Sequence, residues 1–134
     1  MENDITERFA QALDLYHSYD FYECHEVLED IWMELPEPDR LFYQGILQVA
    51  VAFLHCLKLP PNYTGALRLL SSARGKLLPF VPHTMGIDVT QLLDDVARAE
   101  RYLQQWQEAG SPFDIGIVPT ISRYQSGAAS RADG

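Results

Sequence analysis

The chain has 134 residues, enough for one hydrophobic core and too few for several. Apolar residues make up 47%, which excludes a disordered polymer, and a net charge of −9 argues against a duplex nucleic-acid partner. The charge is unevenly spread: residues 1–39 hold twelve acids and one base, residues 40–87 five bases and no acid, and residues 88–134 seven acids and four bases. Ion pairing between the acidic first third and the basic middle third, within the fold or across a dimer, is the expected use of this asymmetry. An anion or ion-pair site at Arg40 and Arg68 is the alternative.

Met1 to Thr6 is acidic and polar with no apolar run behind it, so no signal peptide is expected and the location is read as cytoplasmic. A helix is predicted over Ile5 to Tyr19, with apolar residues at 5, 9, 12, 13 and 16 and a cap at Asn3 or Asp4. Asp20 is expected to cap a second helix, Phe21 to about Leu35, stopped by Pro36 and Pro38. Asp39 is expected to cap a third, Arg40 to about Leu59, ended by Pro60 and Pro61. It holds the longest uncharged stretch, the 17 residues Leu41 to Leu57. That length is at the lower limit for crossing a bilayer, and Gln44, Gln48 and His55 within it favour a central buried helix over a membrane span.

Asn62 or Thr64 opens a fourth helix with Leu67, Leu70, Leu77 and Leu78 inward, ended by Pro79 and Pro82. A loop containing His83 and Gly86 follows. Asp88 then caps a fifth helix with Val89, Leu92, Leu93, Val96, Leu103 and Trp106 on its apolar face, closed by Gly110-Ser111-Pro112. The expected architecture is all-α: a compact bundle of about five helices, with the third at its centre and an extended C-terminal arm. Its parts are a helical domain over residues 1–110, an apolar arm over 111–124 that packs on its own bundle or on a neighbour, and a frayed tail over 125–134. Cys24 and Cys56 are expected as buried, reduced thiols, since no CxxC occurs.

The second helix carries the most informative residues. With His25 as reference, Glu29 lies about 40° and Trp32 about 20° away, on a face expected to be buried. On the third helix Gln44, Gln48 and His55 share a stripe about 40° wide. A short turn makes the two helices antiparallel neighbours, so the two stripes are expected to face each other. Three readings of the arrangement stand open. It is a buried hydrogen-bond network that fixes helix register. It is a metal site, with His25, Glu29 and His55 on a divalent ion. It is a ligand pocket walled by Trp32, with Glu29 or His25 as base or orienting group. The segment reads HExxE, so it lacks the second histidine of a zinc-protease helix. Arg40 is placed to reach Glu26 or Glu29 across the turn. His17 and His83 are expected at the surface.

The segment Phe21 to Trp32, the segment Tyr43-Gln44-Gly45-Ile46-Leu47-Gln48-Val49-Ala50, then His55 and then Gly65-Ala66 together resemble the bacterial family of the domain of unknown function 309. That family pairs an HExxExxW helix with a Q-G-x-x-Q helix and a later Gly-Ala pair. The resemblance runs from about Phe9 to Phe80. It implies a small all-helical domain and supplies no activity. The functional expectation is therefore a helical domain that binds a small ligand or a protein partner in a groove lined by His25, Glu26, Glu29, Trp32, Gln44, Gln48 and His55. An enzyme using His25 and Glu29, with or without a divalent metal, is the alternative. A structural network within an oligomeric interaction module is the third reading. No cofactor, membrane partner or nucleic acid is expected; a homo-oligomer is compatible with the arm.

Overall fold

The computed structural model describes residues 2–124, and the expected tail over 125–134 lies outside the described residues. The described residues form five α-helices: α1 Glu2–His17, α2 Phe21–Met33, α3 Asp39–Cys56, α4 Tyr63–Leu77 and α5 Val89–Ala109. A small antiparallel hairpin, β1 His83–Thr84 and β2 Ile87–Asp88, precedes α5. The fold is all-α, as its periodicity predicts.

Helix ends follow local chemistry where a side chain is free to act. Asn62 accepts from the Gly65 N–H and Asp88 from the Gln91 N–H, capping α4 and α5. Gly110 takes a left-handed conformation (φ 67°) and closes α5. Three expected caps differ. Asp4 lies inside α1 and pairs with Arg8 at 3.0 Å. Neither Asp20 nor Asp39 makes a capping bond, and Asp39 is itself the first residue of α3. At Asp20 the chain is held by the end of α1 instead. Tyr19 is left-handed (φ 66°), and the Asp20 N–H donates to the Leu15 carbonyl at 2.9 Å. The turn between the helices is thus set by a helix C-terminus.

α3 is the centre. From Arg40 to Cys56 it has no exposed residue. α2 packs on one flank and α4 on the other. Phe9 of α1 meets Phe42 and Tyr43 edge-on, with ring centroids 5.8 and 5.3 Å apart. At Gly45 the end of α4 packs directly on α3: a methyl group there would stand 2.7 Å from Leu77 Cγ. The absence of a side chain lets the two helices touch. α5 is tied to α4 by Arg74, which donates from Nη2 to Glu100 at 3.1 Å and pairs with it through Nε. Among the described residues Glu100 is the one charged residue in the core.

The C-terminal arm packs on its own bundle. The Tyr16 hydroxyl donates to the Pro119 carbonyl at 2.6 Å, and His17 Nε2 accepts from the Ile121 N–H at 3.1 Å. Ile121 is buried, and the chain then joins the hairpin through an Ile87–Arg123 bridge. His17 is exposed, as expected, and its ring nitrogen also anchors the arm. The hairpin, expected as a loop, owes its order to this return of the chain.

Gly45→Ala is expected to lower the unfolding free energy by about 1–2 kcal/mol, because overpacking against Leu77 outweighs the roughly 1 kcal/mol gain in helix propensity. Urea unfolding measures it, and unchanged stability would mean that α4 yields without cost.

Candidate functional site

The buried face of α2 consists of Phe21, Cys24, Leu28 and Ile31. It is centred about 80° from His25. The expected burial of the His25–Glu29–Trp32 face is therefore corrected: His25 and Trp32 are half-buried at the rim, while Glu29 and Glu26 stand in solvent. The reason is that α2 packs against both α1 and α3, which turns its apolar side toward the space between them. His25 Nδ1 lies 3.2 Å from the Tyr22 carbonyl, the geometry of a donated bond that leaves Nε2 free to accept.

Gln44, Gln48 and His55 do share one stripe, and all three are half-buried. Leu47 and Val51, also half-buried, interleave with them. The expected buried network does not form. Trp32 Nε1, Gln48 Oε1 and His55 Nδ1 are all buried and lack a hydrogen-bond partner among the described residues. Among the described residues only one other buried side-chain atom, Arg8 Nε, shares that condition. Buried polar atoms are almost always satisfied, so three of four falling on the two motif helices marks this seam as chemically incomplete.

Arg40 does not reach Glu26 or Glu29. Its guanidinium lies over the Trp32 ring, 4.8 Å from the centroid. Arg68 is exposed on α4 and joins no ion pair among the described residues. The expected pairing of the acidic first third with the basic middle third is likewise absent there. Arg8 takes Asp4 and Glu34, Arg98 takes Asp95, and Arg74 reaches forward to Glu100. The acids of α2 thus face solvent with the middle bases uncommitted to them.

His25, Glu29 and His55 do not fit a metal ion. Among the described residues no three His, Cys, Asp or Glu side chains are grouped to hold one. Cys24 and Cys56 are buried and unpaired, and burial pushes each thiol up to about 12, which leaves both unreactive.

Residue periodicity missed a cleft of about 500 Å³ at the far end of the α2–α3 pair, lined by residues of α1, the α2–α3 turn, α3 and the hairpin. No local signal marks it, because its walls are separated by up to 80 residues of chain.

Fold and seam together define a small all-α domain whose two signature helices present unfinished polar chemistry. Residues 9–69 match the family described as domain of unknown function (DUF309). An uncharacterized protein, YpuF of Bacillus subtilis (strain 168), is 36% identical over 62 residues, which are 46% of this chain and 34% of the relative. The match thus spans about a third of that relative's length. No solved structure matches the chain. The matched segment covers α2, α3 and the unpaired seam atoms, and excludes α5 and the arm. Among the described residues no helix is long and apolar enough to cross a membrane.

Burial, and then the charge of Lys58, hold His55 below its ordinary value of about 6.5. The folded state therefore prefers the neutral ring. The stability that goes with it is complete above about pH 6.5 and is lost as pH falls through the lower folded value. His55→Gln is expected to flatten that part of the profile, read as the wild-type minus variant difference in thermal midpoint below pH 7. A difference independent of pH would contradict it.

Proposed function

We propose that this chain is a binding domain that receives a small polar ligand, or a polar segment of a partner, at the seam between α2 and α3. The observation that supports this reading is the set of unpaired atoms at Trp32, Gln48 and His55. Their chemistry limits the occupant. The Trp32 indole N–H can only donate and the Gln48 carbonyl oxygen can only accept. A neutral group that both accepts and donates, such as an amide or a hydroxyl, is the complement. His55, held neutral, is able to take either role through Nδ1. Trp32, backed by Arg40, supplies a flat wall for the rest of the ligand. His25 and Gln44 line the rim, and Glu26 and Glu29 set a negative field outside it.

We place the helical unit of residues 1–110 and its arm, 111–124, in the cytoplasm. Two buried free thiols suit a reducing compartment.

A fragment screen by protein-observed NMR tests the reading. Amides and alcohols are expected to shift resonances in residues 44–55 and around Trp32, and Gln48→Leu is expected to weaken those hits at least about tenfold. Hits that ignore Gln48→Leu, or none at the seam, would overturn the proposal.

A further inference from the structure

The cleft of about 500 Å³ uses none of the seam's unpaired atoms. Its lining combines two kinds of group. Phe42, Tyr43, Phe80 and Met85 give apolar and aromatic surface. Thr6, Asp39, Tyr43 and Thr84 give oxygen. Asp39 is exposed, its side chain makes no hydrogen bond or ion pair among the described residues, and it stands at the start of α3. Burial, and then the Asp39 carboxylate, push the Tyr43 phenol up to about 12, so it is neutral and its oxygen retains lone pairs. The Thr84 hydroxyl donates to the Phe80 carbonyl at 2.9 Å and thus also has lone pairs to offer. No lysine, arginine or histidine lines the cleft.

The geometry points to a second ligand site, one for a primary amine on a small apolar body. A primary ammonium has three donors and no acceptor, which suits a lining that offers a carboxylate and several hydroxyl oxygens and no cation. The aromatic rings favour the same positive charge, and the apolar wall takes the rest of the molecule. An anionic ligand would meet the Asp39 carboxylate with nothing to balance it. A neutral one would leave that charge unused. The arrangement joins residues that local reading keeps apart: Thr6 from α1, Asp39, Phe42 and Tyr43 from the first turns of α3, and Phe80 to Met85 from the hairpin region.

Phenethylamine added to the full-length ¹⁵N-labelled chain is the test, with 2-phenylethanol as a match in shape that lacks the charge. The amine is expected to shift resonances at Phe42, Phe80, Thr84 and Met85, with half-saturation near about 1 mM or below. The alcohol, and the amine on Asp39→Asn, are each expected to bind at least about tenfold more weakly. No shift at the cleft by about 10 mM amine would overturn the proposal, as would an alcohol that binds equally well. Because Asp39 is exposed and unpaired, Asp39→Asn is expected to keep the wild-type thermal midpoint. The alcohol comparison decides the matter even if it does not.

Discussion

The close approach of α3 and α4 at Gly45 governs the rest of the molecule. With no side chain at Gly45, Leu77 seats directly against the α3 backbone, and α4 lies along one flank of the central helix. α2 lies along the other. Between them α3 keeps a strip too covered to be solvated and too open to be core, and every residue on it is half-buried. A purely apolar strip would be the stable solution at such a place. This chain puts Gln44, Gln48 and His55 there.

Those polar groups have an energetic consequence. An intramolecular partner would offset the desolvation of the Gln48 carbonyl and the Trp32 N–H, yet neither finds one among the described residues. The neighbouring chemistry is not otherwise careless. Glu100, the charged residue in the core, is held by Arg74, and the Tyr16 hydroxyl, buried beneath the arm, meets the Pro119 carbonyl. The same fold that satisfies these groups leaves the seam open. That contrast is the basis for reading the seam as a surface completed from outside. It lies within the segment that matches the DUF309 family, whereas the contacts of α5 and the arm lie beyond it.

Much of this was legible in the chain of residues, and the failures have physical causes. Helix number, the central position of α3 and the caps at Asn62, Asp88 and Gly110 follow from periodicity and local hydrogen bonding. The orientation of α2 does not. A helical wheel ranks faces by composition, and His25 and Trp32 sit close enough to Leu28 to seem central. Only the presence of α1 on the other side turns the buried face toward Cys24 and Ile31 and leaves Glu29 in water. The hairpin was illegible because its strands are two residues long and depend on the arm returning to Ile87. The anchoring role of His17 has the same origin, since its partner is about a hundred residues away. The cleft beside Asp39 arises from four separated segments and has no signature in any of them.

The central claim is that the seam polarity serves recognition rather than folding. The unfolding free energy of Gln48→Leu in urea tests it most directly. If Gln48 is unpaired in the free protein, replacing it with a side chain of similar size leaves stability unchanged or raises it. A loss of about 1–3 kcal/mol would contradict the account, because it would mean that Gln48 belongs to a network that holds α2 and α3 together.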